Sequence, residues 1–283
     1  MTRTALVTDS TANLPASLAE AHRIYVAPLY LLWGDETYRD GVDITEEVFY
    51  ERLSTSKVIP KTSQVSPQDF ITLFEQARQA ENADEVVCGV ISSDLSGTYA
   101  SAMQAKANVD FPVHVIDSRQ ATWGLGHAML SAAQARDAGA RPDEIAAAIA
   151  ESAARQRLTF TIDSLEFLHR GGRIGNARLL LGSALNVKPV LELRDGVVSA
   201  VGNVRTRKRA VEQLLKVAEN HIGKRPMTRL SVIHAAREEE AQALLAQAIE
   251  QFHPQEIHTS LIGVVLGVHT GPGALGLVAE YAE

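Results

Sequence analysis

The chain has 283 residues, 46% of them hydrophobic and 22% charged, which is typical of a globular protein with room for two domains. A net charge of −7, few aromatic residues and no nucleic-acid motif argue against a nucleic-acid-binding protein, and the single cysteine excludes an internal disulfide. Since no apolar segment could span a bilayer or act as a signal peptide, we expect a cytoplasmic protein without stable membrane insertion.

Short apolar strands alternate with helices in the first half of the chain. In chain order, the sequence predicts a strand at 5–7, a helix at 15–22, an apolar β-rich segment at 24–32 that enters a hairpin at 33–38, a helix at 46–53, a helix at 67–80, a strand at 85–91, a helix ending near 107, a strand at 113–116, and helices at 121–138 and 142–155. This alternation predicts an open parallel sheet flanked by helices.

A hydroxyl-rich loop at 61–66 precedes the helix that is predicted at 67–80. Ser66 and Pro67 form a helix start, because serine caps the first turn and proline needs no N–H there. Thr62 and Ser63 are therefore expected near free backbone N–H groups, which attract a carboxylate or a phosphate. The alternative is that both hydroxyls only satisfy local backbone groups.

A second hydroxyl-rich loop, at 92–98, follows the predicted strand 85–91. Ser93 and Ser96 lie in it and are candidates either for ligand contact or for capping of the next helix. Ligands of open parallel sheets bind beyond the carboxyl ends of the strands, so this loop and the loop at 61–66 are expected to face the same crevice.

The pair Asp-Ser recurs at 9–10, 117–118 and 163–164, each time after an apolar strand. Caps and turns are the simplest interpretation of these pairs. A catalytic pair of carboxylates is a weak alternative, because nothing in the sequence shows that the three positions converge.

The long helices end near Arg157, which predicts one domain at 1–157 and a second at 158–283. The second half is predicted to contain a strand at 158–162, a short helix and glycine turn within 164–175, an apolar helix at 179–185, a hairpin at 189–201, a helix from about 205, a strand at 230–234, a helix at 238–252, and strands at 256–261 and 263–268. These elements predict a mixed α/β domain.

Positive charge is concentrated between residues 170 and 229. This segment contains 13 Lys and Arg and 4 Asp and Glu, which gives a net charge of +9. Arg170 and Arg173 flank a glycine turn that lacks the Gly-Lys-Ser/Thr ending of a nucleotide-binding loop. Arg205 opens a run of basic residues at a helix start, where positive charge opposes the helix dipole. The segment predicts a surface for an acidic partner or phosphate, with a solvated basic face as the alternative.

Of the nine histidines, His269 alone both ends a predicted apolar strand and opens a glycine-rich loop, at 269–276. It is a candidate ligand contact, with a hydrogen-bonded structural histidine as the alternative. The sequence has no metal motif, no nucleophile elbow and no convincing nucleophile-base pair, so no catalytic or metal-binding residue is predicted. Donors without a nucleophile favour binding of an anionic head group.

Seven motifs occur in order from the first strand to the C-terminus. They are Thr8-Asp9-Ser10-Thr11, Pro60-Lys61-Thr62-Ser63-Gln64, Ser92-Ser93-Asp94-Leu95-Ser96-Gly97-Thr98-Tyr99, Gly172-Arg173-Ile174, Lys188-Pro189-Val190-Leu191, Val204-Arg205-Thr206-Arg207 and His269-Thr270-Gly271-Pro272-Gly273. Together they resemble the motifs of the DegV family of fatty-acid-binding proteins.

The resemblance implies two α/β domains, with a long-chain fatty acid such as palmitate or stearate held between them or within the C-terminal, lipid-binding one. It implies a bacterial carrier protein and not an enzyme, with no cofactor. The carrier presents the fatty acid to a separate ATP-dependent fatty acid kinase, which makes acyl-phosphate for phospholipid synthesis.

The resemblance also implies roles for individual residues. Those expected to bind the fatty-acid carboxylate are Thr62, Ser63, Ser93, Ser96 and His269. Those expected to dock the kinase are Arg170, Arg173 and Arg205. Which serine of the loop at 92–98 reaches the carboxylate is left open.

An enzyme is the main alternative, because this fold is distantly similar to dihydroxyacetone kinase subunits. It would be a phosphotransferase or hydrolase that uses His269 or Ser96 as its nucleophile. A carrier for some other small acid is the third possibility. A phosphotransferase would turn over a phosphate donor by itself, and a carrier would not.

Overall fold

The computed structural model describes residues 2–182 and 187–282, and the chain folds into two compact units. Unit 1 consists of Met1–Leu32, Glu36–Asp43 and Thr62–Ala154. Unit 2 consists of Trp33–Asp35, Ile44–Lys61 and Arg155–Glu283. The sequence predicts one domain at 1–157, and three segments of that range, 33–35, 44–61 and 155–157, belong to unit 2.

The described residues form 13 strands and 10 α-helices. The strands are β1 (Thr4–Asp9), β2 (Ile24–Ala27), β3 (Tyr30–Trp33), β4 (Glu36–Arg39), β5 (Lys61–Ser63), β6 (Glu85–Val90), β7 (Val113–Asp117), β8 (Gln156–Thr161), β9 (Lys188–Arg194), β10 (Val197–Val204), β11 (Met227–His234), β12 (Glu256–Leu261) and β13 (Leu275–Tyr281). The helices are α1 (Ala16–Ala21), α2 (Glu46–Thr55), α3 (Pro67–Ala80), α4 (Thr98–Lys106), α5 (Trp123–Asp137), α6 (Pro142–Ala154), α7 (Glu166–Arg170), α8 (Arg207–Ile222), α9 (Glu238–Phe252) and α10 (Val264–Thr270).

Unit 1 is built on a four-stranded parallel sheet in the order β2-β1-β6-β7, which confirms the predicted open parallel sheet. Every residue of β1 is buried, and so are all but the first residue of β6. Central strands that are covered on both faces need near-continuous apolar sequence, and these strands have it. All four strands run in the same direction, so their carboxyl ends share one edge of the sheet.

Helix α3 has the apolar spacing and the start that its sequence predicts. Phe70, Phe74 and Ala77 are fully buried at helical spacing. The Asp69 N–H donates to Ser66 Oγ at 3.1 Å, and the Ser66 N–H donates to the Asp69 carboxylate at 3.2 Å. This capping box satisfies amide groups of the first turn and holds the start of α3 at the end of the hydroxyl-rich loop.

A small sheet in the order β4-β3-β5 contains the predicted hairpin as β3 and β4. Its third strand, β5, covers Lys61–Ser63, which the sequence predicts to be part of a loop. The loop prediction is wrong for these three residues. The strand could not be detected from the sequence, because a three-residue polar strand has no hydrophobic period.

Unit 2 contains a six-stranded sheet in the order β10-β9-β8-β13-β11-β12. Only the β11 and β12 pair is parallel, so this sheet confirms the predicted mixed α/β arrangement. Helices α8 and α9 pack on it through a buried core that includes Leu214, Leu244 and Leu277. Burial of each such leucine contributes about 1.5–3 kcal/mol.

Two predictions in the C-terminal half are wrong, and a third cannot be compared in full. Residues 263–268, predicted as a strand, form most of helix α10, because a short apolar run fits either element. Strand β13 was not predicted, although it pairs with both β8 and β11 inside the sheet. Of the helix predicted at 179–185, residues up to 180 lie in a 3-10 helix (Gly175–Leu180), and 183–185 lie outside the described residues.

Candidate functional site

The carboxyl edge of the parallel sheet in unit 1 carries a network of polar groups. Asp9, at the end of β1, accepts hydrogen bonds from the N–H groups of Thr11 and Ile91, at 2.9 and 2.8 Å. Burial raises the pKa of Asp9, and the hydrogen bonds that it accepts oppose this effect. Asp9 thus joins the end of β1 to the start of the segment that contains the second hydroxyl-rich loop.

Ser93 is held by the carboxylate at the end of β7. Its hydroxyl donates to Asp117 Oδ2 at 2.5 Å, and its N–H donates to Asp117 Oδ1 at 3.2 Å. A hydroxyl has one proton, so while this bond exists Ser93 can offer a ligand only lone pairs. Ser93 would have to leave Asp117 to donate to a carboxylate.

Ser96 has a different hydrogen-bonding arrangement. Its oxygen lies 2.8 Å from Thr98 Oγ1 and accepts from the N–H of Thr98, the first residue of α4, at 3.3 Å. The N-cap of α4 is Gly97, so Ser96 binds the start of the helix from one residue before the cap position. When Thr98 supplies the proton of the hydroxyl pair, the Ser96 proton remains available for an anion.

The hydroxyl-rich segments 62–66 and 92–98 lie side by side in unit 1. The Gln64 side chain packs against Gly97, where an added Cβ would lie 3.4 Å from Gln64 Cδ. Thr62 and Ser63 are half-buried, and the Ser63 hydroxyl donates to the Gln64 carbonyl at 3.5 Å. This contact places the segment that carries Thr62 and Ser63 next to the segment that carries Ser96.

His269 belongs to the last turn of α10 in unit 2, and not to the end of a strand. Burial, followed by the nearby Arg173 charge, lowers the pKa of His269 to about 4. The imidazole is therefore neutral at pH 7 and can donate one hydrogen bond without carrying a charge.

The three candidate docking arginines are all in unit 2. Arg170 forms an ion pair with Glu166 on α7 and is half-exposed. Arg173 donates from Nη1 to the Gly171 carbonyl at 2.6 Å. Arg205 is exposed, two residues before α8 begins.

The basic start of α8 is partly neutralised by other residues of unit 2. Thr206 caps the helix by accepting from the Arg209 N–H at 3.3 Å. Arg207 Nε donates to Glu240 at 2.6 Å, which offsets the unfavourable position of its charge at the positive end of the dipole. Arg207 is therefore part of an ion-pair network, whereas Arg205 remains on the exposed face.

The three Asp-Ser pairs are structural, as the simpler interpretation predicted. Asp9 and Asp117 bind local backbone and hydroxyl groups, and Ser164 accepts from the Glu166 N–H at 3.1 Å. Asp163 forms ion pairs with Lys188 at 2.7 Å and Arg237 at 3.1 Å.

The glycines that follow His269 lie against side chains of the protein itself. Gly271 and Gly273 have φ of +71° and +83°, a region that favours glycine. A Cβ on Gly271 would lie 2.6 Å from Phe167 Cε2, and one on Gly273 would lie 2.8 Å from Asp163 Cγ. The space beside both glycines is therefore filled by side chains of unit 2.

Asp117, Gln64 and Gly171 contact candidate site residues, although their sequence pattern did not predict this. The sequence places Asp117 at the end of an apolar strand, but no sequence pattern indicates that it binds Ser93. Gly171 stood out only as part of a turn, and nothing in the sequence placed it beside the His269 ring.

The part of the chain that the structure describes contains neither a metal-binding cluster nor a membrane-spanning helix. No three His, Cys, Asp or Glu side chains in residues 2–182 and 187–282 form a group that could hold a metal ion. Over the same ranges, none of the helices combines the length and apolarity that a bilayer crossing requires.

Comparison with known proteins identifies a family. A family model described as "Uncharacterised protein, DegV family" matches residues 3–282. A DegV domain-containing protein of Deinococcus radiodurans is 37% identical over 276 residues, which are 98% of each chain.

Two solved structures are also similar. One, described as fatty acid binding of a DegV family protein from Thermus thermophilus, is 34% identical with a TM-score of 0.93 and covers 99% of this chain and 100% of its own. The other, a stearic acid-binding protein from Eubacterium ventriosum, is 29% identical with a TM-score of 0.88 and covers 99% of this chain and 98% of its own. The match over nearly the whole chain shows that this protein belongs to the DegV family.

Proposed function

We propose that this protein binds a long-chain fatty acid such as palmitate or stearate and presents it to a separate kinase. The observation that carries the proposal is the similarity, over 99% of the chain at a TM-score of 0.93, to a Thermus protein described by its fatty acid binding. The Eubacterium protein is described as binding stearic acid, which supports the same class of ligand.

For the carboxylate we propose donors from both hydroxyl-rich loops and one imidazole, namely Thr62, Ser63, Ser93, Ser96 and His269. The side-by-side arrangement of the two loops supports the hydroxyl donors. The lowered pKa of His269 supports a neutral imidazole as a hydrogen-bond donor at pH 7. Ser96 is the better serine donor, since Ser93 gives its proton to Asp117.

The acyl chain would supply most of the affinity. Burial of one CH₂ contributes about 0.8 kcal/mol, so the 14 or so methylenes of palmitate could contribute about 11 kcal/mol before ordering costs. Each hydrogen bond to the charged head contributes about 1.5–3 kcal/mol. The head-group donors would therefore set the orientation of the ligand more than its affinity.

For the kinase we propose a docking surface that includes Arg170, Arg173 and Arg205. Exposed Arg205 and half-exposed Arg170 support this role, and so does the net charge of +9 over residues 170–229. A basic surface steers an acidic partner into contact and raises the association rate.

Mass spectrometry of lipid extracted from the denatured protein, after native purification from a bacterial host, tests the ligand. We expect about one long-chain fatty acid per chain, because the buried tail makes release slow. An empty protein that also fails to take up added palmitate, or one that hydrolyses ATP without any partner, would contradict the proposal and favour a phosphotransferase.

The same preparation tests the head-group donors. Ser96→Ala and His269→Ala are each expected to weaken palmitate affinity about tenfold, the effect of one hydrogen bond to a charged group. Ser93→Ala is expected to have less effect than Ser96→Ala. Ser54→Ala is the control, since its exposed hydroxyl bonds only within α2. Equal affinities for all four variants would show that these donors do not bind the head group.

A further inference from the structure

The Cα of Gly171 lies directly against the imidazole of His269. A Cβ built on Gly171 would lie 2.9 Å from His269 Cε1 and still closer to Nδ1. Nonbonded carbon atoms are most stable at about 3.5–4.0 Å, so a side chain and the ring cannot share this space. The φ of Gly171 is −73°, which any residue adopts. The position therefore needs glycine because of the ring, and the backbone conformation does not require it.

A reciprocal contact lies next to this one. Gly271, which ends α10, has no room for a Cβ because the Phe167 ring of α7 occupies the space, with Cγ 2.8 Å from the built atom. The Phe167 ring of α7 thus packs on Gly271, which ends α10. In return, the His269 imidazole of α10 packs on Gly171, which ends α7. These two contacts fix the last turn of each helix against the other.

The polar groups of Gly171 are also engaged. Its N–H donates to the Phe167 carbonyl at 2.9 Å, and its carbonyl accepts from Arg173 Nη1 at 2.6 Å. The Cα that supports the His269 ring is therefore held from both sides of the residue. The same arrangement keeps the Arg173 guanidinium near the imidazole, where its charge acts on His269.

We propose that Gly171 is a positioning residue for His269, its bare Cα fixing where the imidazole ring lies for binding of the fatty-acid carboxylate. This inference rests on the proposed function for the carboxylate role alone. The placement of the ring by Gly171 is a property of the ligand-free protein and can be tested without a ligand.

The test is Gly171→Ala, with Gly202→Ala as the matched control, since an added Cβ at Gly202 meets nothing within 4 Å. In the ligand-free protein, we expect Gly171→Ala to shift the ring ¹H and ¹⁵N resonances of His269 and Gly202→Ala to leave them unchanged. Palmitate affinity should fall about tenfold for Gly171→Ala, as for loss of one hydrogen bond to a charged group.

The double variant Gly171→Ala/His269→Ala separates positioning from general damage. Without the imidazole the severe contact is gone and the Phe167 carbonyl, 3.1 Å from the new Cβ, needs to move by only a few tenths of an ångström. The double variant should therefore bind palmitate as His269→Ala does, within about twofold. If Gly171→Ala alone fails to fold, the double variant should recover folding. An unchanged His269 spectrum in Gly171→Ala, or a further loss of affinity or continued misfolding in the double variant, would overturn the proposal.

The two proposals fail in different ways. If the wild-type protein binds no palmitate, the proposed function fails, while the His269 spectrum of Gly171→Ala still tests the positioning. If the wild-type protein binds palmitate and the His269 spectrum is insensitive to Gly171→Ala, only the positioning role fails.

Discussion

At the scale of single residues, His269 shows how its surroundings determine the chemistry that it can offer. Burial and the Arg173 charge lower its pKa from 6.5 to about 4, so the unfolded chain binds a proton between these values that the folded chain does not. The contribution of this group to stability is therefore complete above pH 6.5 and is lost as the pH falls toward 4. At pH 7 the ring is a neutral donor.

We expect an NMR titration of His269 to give a midpoint near pH 4. Arg173→Gln should raise that midpoint only part of the way to 6.5, because burial is the larger cause and remains. Arg170→Gln, which removes an exposed arginine paired with Glu166, should leave it unchanged. A wild-type midpoint near 6.5, or equal shifts in the two variants, would contradict this account.

At the scale of helices and strands, an element could be predicted when the residues that determine its conformation lie within its own sequence. Helix α3 was predicted with the bounds that it has, because its cap, its proline and its apolar spacing all lie within its own sequence. Helix α10 was predicted as a strand, because Val264 to Val268 has no polar face and only its packing decides its conformation. The contact between Gly171 and His269 joins segments about a hundred residues apart in sequence, so no local pattern could indicate it.

Removal of the Ser66 cap tests how much this local sequence feature stabilises α3. Ser66→Ala is expected to lower the free energy of unfolding by about 1 kcal/mol, because it leaves the Asp69 N–H without its acceptor. Ser54→Ala is the control, since its hydroxyl bonds only to the Glu51 carbonyl within α2, and it should change stability by less than about 0.5 kcal/mol. Urea denaturation of both variants measures the difference, and equal midpoints would show that the cap is not needed.

At the scale of the whole molecule, the alternation of strands and helices was enough to predict a parallel sheet followed by a mixed one. It could not predict that α2 belongs to unit 2. Phe49 and Tyr50 of α2 are buried, and the Tyr50 hydroxyl donates to the Ile262 carbonyl at 3.0 Å. A Cβ on Gly267 would lie 2.7 Å from Phe49 Cε1. Such pairing across about 210 residues is decided by complementary shape, which hydrophobic periodicity does not encode.

The contribution of α2 predicts how a fragment of the protein behaves. Residues 155–283 alone should fail to unfold cooperatively in urea, because loss of the Phe49 and Tyr50 rings costs about 6–10 kcal/mol, as much as the whole stability of a typical domain. A synthetic peptide of residues 44–61 should restore cooperative unfolding, and the same peptide with Phe49→Ser and Tyr50→Ser should not. Cooperative unfolding of the fragment without any peptide would show that α2 is dispensable, and that the boundary near residue 157 predicted from the sequence separates two independent folding units.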